Sequence, residues 1–201
     1  MSDVWDDLRA IDPPVGEGGR DWFPYMLRSE VRDAIDGFPD PVAALAARLE
    51  QERDPVWREV LLFGLASQDD PRVDPILIGA LDDGALRPRA LYLLGAIGTR
   101  GWPKRERARG ALLAAIRPYI TDPTPYRDPI LGEALVTADL AEAAFVRIAG
   151  PEHFPSVKAL ADDTRPLAGE FVGMALPHFS EDQRAALAAD IERFDEAALR
   201  H

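Results

Sequence analysis

One pattern recurs along this 201-residue chain and restricts the folds open to it. An Asp-Pro dipeptide opens a short amphipathic segment, a small acidic turn follows, and a second apolar segment carries an arginine near its start and often a glycine further on. It reads DPVAALAARLEQERDPVWREVLLFGLA from Asp40 and DPRVDPILIGALDDGALRPRALYLLGAIG from Asp70, with a degenerate form, PSVKALADDTRPLAGEFVGMALPHF, from Pro155. Self-similarity with a period of roughly 30 to 45 residues points to stacked helical pairs, because one pair cannot bury its own apolar face and a neighbouring pair completes the core. The expected fold is all-α, a right-handed α-α superhelix with capping helices at both ends and no sheet.

Apolar spacing places the helices. Val42, Leu45 and Leu49 mark one face of a helix with Asp40 as N-cap and Pro41 at the first helical position. Its partner starts at Asp54-Pro55 and presents Val56, Val60 and Phe63 at core spacing. Ile76, Leu77, Ala80 and Leu81 form the next first helix, capped by Asp74-Pro75, and Ala90, Leu91, Leu94 and Ile97 form its partner. From Glu106 to Tyr119 one side carries Ala108, Ala111, Leu112, Ala115, Ile116 and Tyr119. The proline-rich TDPTPYRDP is a loop before a longer helical stretch, Asp128 to Ala149, in which Asp139 is a possible break point. Ser180 and Gln183 make a capping box before a closing helix with Leu187, Ile191, Phe194 and Ala198 in register.

Residues 1–39 stand apart as an N-terminal capping segment, and 40–201 form the repeat array. VWDDL reads as a short helix, PPVGEGG as a turn-rich connector, and a further helix runs from about Tyr25 to Ile35. Trp22, Phe23, Tyr25, Met26 and Leu27 are too apolar to leave in water. They are read as a cover for the open end of the first repeat, or alternatively as an aromatic patch that docks a partner.

The recurring segments resemble HEAT-like, Armadillo-type helical repeats of the kind found in bacterial proteins. The match is best in DDGALRPRALYLLGAIG, where an acidic turn, an arginine four residues on and a Leu-Gly-x-Ile-Gly helix end follow the family's order. The resemblance covers about Asp40 to Phe179. It implies a curved all-α scaffold whose second helices line a concave face, and it implies no activity, since the fold hosts scaffolds and enzymes alike.

Composition narrows the chemistry. The chain has no cysteine, which excludes disulfides, thiolate metal sites and cysteine nucleophiles. No apolar stretch reaches the length needed to span a bilayer and no leader precedes the first segment, so a cytoplasmic location is expected. The formal net charge of −12 opposes general nucleic-acid binding, which depends on lysine and arginine neutralising phosphates, and favours a partner with a basic surface. The histidines His153, His178 and His201 form no local metal-binding spacing, and no His-Glu dipeptide occurs. Neither metal nor cofactor is expected. Asp69-Asp70, Asp82-Asp83 and Asp162-Asp163 read as turn and cap residues. No G-x-S-x-G elbow and no phosphate loop is present.

A column of arginines is the remaining candidate. Arg58, Arg87 and Arg165 follow the acidic turn residues Asp54, Asp83 and Asp163, and Arg127 takes the comparable place in the irregular repeat. The family resemblance implies a ladder in which such arginines and aspartates tie successive turns together. The alternative is a partner-binding strip of Trp57, Arg58, Arg87, Arg89, Tyr92, Tyr126 and Arg127, since arginine, tryptophan and tyrosine dominate binding hot spots. Arg89 lies outside the spacing that explains Arg87, and Tyr92 shares its helical face, so the two are expected to be dispensable for stability if the strip serves binding.

The leading expectation is a non-enzymatic protein–protein interaction module, with an acidic immunity or antitoxin-like protein as its specific version. One alternative is a small-molecule or chromophore-handling protein resembling HEAT-like lyases, which requires a deep apolar pocket. Another is an enzyme resembling HEAT-like alkylpurine DNA glycosylases; Trp57, Trp102 and many aspartates are available to it, and the acidic balance opposes it.

Overall fold

A computed structural model describes residues 4–11, 15–16, 19–20, 28–100, 108–127, 134–161 and 179–187. The chain divides into two compact units, residues 1–89 with 127–133, and residues 90–126 with 134–201. The described residues are predominantly helical.

The first unit opens with α1 (Val4–Ala10), followed by a ribbon of β1 (Val15–Gly16) and β2 (Gly19–Arg20) paired antiparallel, with Val15 opposite Arg20 and Gly16 opposite Gly19. Then come α2 (Ser29–Asp36), α3 (Pro41–Gln51), α4 (Pro55–Ala66) and α5 (Val73–Ala80). Both expected Asp-Pro starts hold for α3 and α4. The Asp40 carboxylate accepts the Ala43 N–H at 3.1 Å, and that of Asp54 accepts the Val56 and Trp57 N–H groups at 2.9 and 3.3 Å. In each case proline follows, at a position whose N–H no intrahelical bond would use.

The core of this unit lies between α3 and α4, which pack against each other. Val42, Leu45 and Leu49 are buried as their spacing predicts. On α4 the buried face is not the expected Val56, Val60 and Phe63. Of these only Val60 is buried, while Leu61, Leu62 and Leu65 carry the core and Val56 and Phe63 stay half-buried. The helix is apolar on more than one side, so periodicity alone picks the wrong stripe. Gly64 faces this seam, where a methyl would meet Ile35 and Leu45 at an ordinary contact distance of 3.4 Å.

Around α5 the Asp-Pro pairs behave differently. The expected cap Asp74 lies inside α5, buried in its first turn. Asp70 instead folds the preceding turn, its carboxylate accepting the Arg72 N–H at 2.8 Å and its carbonyl the Val73 N–H at 3.1 Å. Helix thus begins before Pro75, which is tolerated in a first turn because the missing N–H has no carbonyl to meet there.

Helix α6 (Arg87–Arg100) begins in the first unit and continues through the second. Asp83 prepares its start by accepting the Ala85 N–H at 2.9 Å. The Leu-Gly-x-Ile-Gly sequence is no helix end, since α6 continues to Arg100. Gly95 serves close packing instead: a methyl there would come 3.1 Å from the Cα of Ala144.

The second unit continues with α7 (Arg109–Ile116), which ends before the expected Tyr119, and a 3-10 turn, Arg117–Tyr119. Its buried side is Leu112, Leu113 and Ile116, whereas Ala111 is exposed. The segment expected to be loop and then one long helix contains a second small ribbon, β3 (Pro125–Arg127) with β4 (Ala134–Val136), before α8 (Thr137–Ile148). These two ribbons correct the expectation of no sheet. Glycine in one and proline in the other disfavour helix, and short strand pairings satisfy the backbone instead.

Asp139 does not interrupt α8; it begins it. Its carboxylate accepts the Val136 N–H at 3.1 Å, while the carbonyls of Thr124 and Asp122 accept the N–H groups of Thr137 and Ala138, each at 2.9 Å. The loop before the helix thereby satisfies the N–H groups that its first turn leaves over. Helix α8 is buried from Thr137 through Val146, the central element of its unit.

A second 3-10 turn (Pro151–His153) and α9 (Phe154–Ala161) follow, and residues 181–187 are helical. The Ser180 capping box forms in both directions: Ser180 N–H donates to Gln183 Oε1 at 3.0 Å, and Gln183 N–H donates to Ser180 Oγ at 3.3 Å. The expected aromatic cover, Trp22 to Leu27, lies outside the described residues, as do Trp102, Asp162-Asp163, Arg165 and the end of the closing helix.

Leu94 is 1% exposed at the centre of α6. Leu94→Ala is expected to lower unfolding free energy by about 2 to 5 kcal/mol. Chemical denaturation checks this, and a loss far below that range would place Leu94 outside the core.

Candidate interaction site

The arginine column resolves into ties between elements. Arg58, on α4, donates from Nη2 to Asp83 Oδ2 at 2.7 Å, across 25 residues of chain. The Arg58 hydrogen bond, with the Ala85 and Leu86 backbone N–H groups, outweighs partial burial and holds the Asp83 carboxyl below its usual range. Arg72 makes the second tie. It grips Asp40 through Nη1 and Nη2 at 2.8 and 3.0 Å and its neighbour Asp70 through Nε and Nη2, joining the cap of α3 to the turn before α5. Arg87 donates from Nε to the Leu81 carbonyl at 2.8 Å.

Arg89 departs from expectation. It is 2% exposed, and its Nε donates to Glu59 Oε2 at 3.1 Å, across 30 residues. Its guanidinium faces a carboxylate of α4 and not solvent, so Arg89 is part of the scaffold and drops out of the expected binding strip. Trp57 is half-buried at the start of α4, beside Arg58. Tyr92 and Tyr126, both half-buried, belong to the second unit, and the Arg127 side chain lies outside the described residues. Of the expected strip, Trp57, Arg58, Arg87 and Arg89 fall in one unit, the three arginines engaged in ties.

A cluster around Trp57 was not anticipated as a site. The Arg9 guanidinium lies over the Trp57 ring at 5.4 Å from its centroid, and that of Arg48 lies over Trp5 at 5.8 Å. Trp5 also leans on Phe38, with ring centroids 5.3 Å apart. Both guanidiniums bond Glu52, Arg48 at 3.1 Å and Arg9 by a short contact. The signal was present in VWDDLR: Trp5 and Arg9 stand four apart and so share a face of α1.

Glu52 is buried just beyond α3. Burial alone would raise its pKa, but the N–H groups of Asp54 and Arg53 and the charge of Arg9 prevail, lowering it from 4.5 to about 2. A carboxylate with a lowered folded-state pKa stabilises the fold fully above its unfolded pKa, and that contribution is lost as pH falls through the folded value.

A separate polar group ties elements of the second unit. Arg109 Nη1 donates to Glu152 Oε1 at 3.0 Å, His153 Nδ1 lies 3.1 Å from the same oxygen, and the Gly150 N–H donates to Nδ1 at 3.3 Å. Among the described residues, no group of three His, Asp or Glu side chains is placed to hold a metal ion, and no helix is long and apolar enough to cross a membrane.

Two predictions follow from these contacts. Arg89→Ala is expected to cost about 3 kcal/mol or more, because it strips a guanidinium from a largely buried carboxylate, with Arg89→Met/Glu59→Leu recovering much of the loss. Thermal melts of the single and double variants decide it; an unchanged single variant would contradict the pairing. For Glu52, the parent should lose stability relative to Glu52→Gln as pH falls from about 4.5 toward 2, with the gap constant above that window. Urea titrations at stepped pH measure the difference. No protein family, no curated protein and no solved structure matches this chain.

Proposed function

We propose that the chain is a HEAT-like helical-repeat protein of bacterial type, a right-handed α-α superhelix that acts in the cytoplasm as a non-enzymatic protein-interaction module. The repeat reading is supported by two ties whose separations lie close to the 30-residue spacing of the Asp-Pro openings at Asp40 and Asp70, Arg89 to Glu59 across 30 residues and Arg72 to Asp40 across 32. Contacts at the sequence period are what stacking of like units produces.

The observation that carries the interaction reading is Trp57, half-buried with the Arg9 guanidinium over its ring. Tryptophan and arginine are enriched at binding hot spots, because a rigid indole and a planar guanidinium bury large area with little entropy left to lose. The net charge of −12 selects the partner: a protein with a basic surface, drawn in by long-range attraction. An immunity or antitoxin-like protein that neutralises a basic toxin is the specific form of this reading.

The test begins with capture of the partner from cytosol of the native host, followed by titration of the purified pair. Trp57→Ala is expected to weaken binding by about 2 kcal/mol or more, the hot-spot scale. Association should also slow as salt rises. A folded Trp57→Ala variant that binds as the parent does would remove this surface from the interface.

A further inference from the structure

Arg9 and Arg48 approach Glu52 from different helices, α1 and α3, and each places an Nη2 on the same carboxylate oxygen, Oε2. The other oxygen is occupied by the chain itself, accepting the N–H groups of Arg53 and Asp54 at 2.9 and 3.0 Å. Among the described residues, two positive charges therefore meet one negative charge. A guanidinium has five N–H donors, and Glu52 engages one on each arginine. The Trp57 and Trp5 rings hold the two guanidiniums before any ligand arrives, and the side chains remain 42% and 27% exposed for Arg9 and Arg48. The result is a preorganised spot of excess positive charge on a chain whose net charge is −12.

Resting on the interaction reading above, the geometry points to this arginine pair as a receptor for one acidic side chain, aspartate or glutamate, set in the otherwise basic surface of the protein partner. A carboxylate matches the flat fork of a guanidinium and can take two parallel hydrogen bonds from it. As a monoanion it brings the cluster to neutrality, whereas a phosphate dianion would leave net negative charge beside Glu52. The chain's net negative charge adds selectivity: an acidic surface is repelled as a whole, and a uniformly basic one leaves the two guanidiniums facing like charge. Only a basic surface with an acidic residue at this point satisfies both.

The probe is a capped peptide in which four lysines flank one glutamate, compared with the same peptide carrying glutamine. General attraction to an acidic chain favours the glutamine peptide, which has one more net positive charge, so a preference for glutamate requires a local receptor. Titration followed by NMR is expected to show the full-length protein binding the glutamate peptide about fivefold or more tighter, as charge-assisted bidentate pairing warrants. Arg9→Gln and Arg48→Gln should each abolish that preference, and Arg48→Lys, which keeps the charge and loses the fork, should reduce it. Equal binding, glutamine preference or no binding by the parent overturns the receptor, and so does a preference that survives Arg9→Gln. If a variant fails to fold, the parent's comparison of the two peptides still decides. A parent with no glutamate preference whose captured partner is still lost on Trp57→Ala would overturn the receptor and leave the interaction module standing.

Discussion

The packing of α3 against α4 is the constraint on which the first unit depends. Both helices are short, 11 and 12 residues, and helices of that length are marginal in water on their own. What holds them is the apolar surface they bury on packing together, Leu45 and Leu49 on one helix and Leu62 and Leu65 on the other. The polar features build on that contact. The turn between the two helices brings the Glu52 carboxylate back onto the N–H groups of Arg53 and Asp54, and only with that carboxylate in place can Arg9 and Arg48 converge on it.

The second unit meets the same demand differently. Its central helix, α8, is enclosed along almost its whole length, and the alanines that make this possible let α6 approach until Gly95 touches the backbone at Ala144. At that crossing Gly95 and Ala144 stand where larger side chains fill the core elsewhere.

What the sequence made legible was largely local. Asp40-Pro41, Asp54-Pro55 and the Ser180–Gln183 box announced helix starts because each cap acts on N–H groups two or three residues away. The same dipeptide at Asp74-Pro75 misled, since Asp70 begins the turn first and a proline in the first turn does not prevent helix. Periodicity located α4 but not its buried face, which depends on what lies opposite. Arg89 is the clearest limit. Its spacing suggested a free residue, and only the fold brings Glu59, 30 positions earlier, against it. Of the Arg9, Arg48 and Glu52 cluster only the Trp5 and Arg9 face of α1 has a local signal, because the cluster joins α1 to the end of α3 and no local pattern encodes that meeting.

The ties also shape the charge that a partner meets. The chain has 23 lysines and arginines against 35 acidic residues. Each internal pairing, Arg58 with Asp83 or Arg89 with Glu59, removes one charge of each sign from what remains available outside. Equal subtraction from unequal numbers leaves the net charge unchanged while raising the ratio of acid to base among the charges still free. Scaffold arginines thus make the exposed surface more one-sidedly acidic than composition alone conveys. Against that background, two arginines sharing a single carboxylate stand out as a local reversal of sign. Long-range attraction can draw in any basic surface, but a point of opposite sign within the acidic field discriminates among those that arrive, so orientation and selectivity at the proposed interface would come from the exception and not from the net charge.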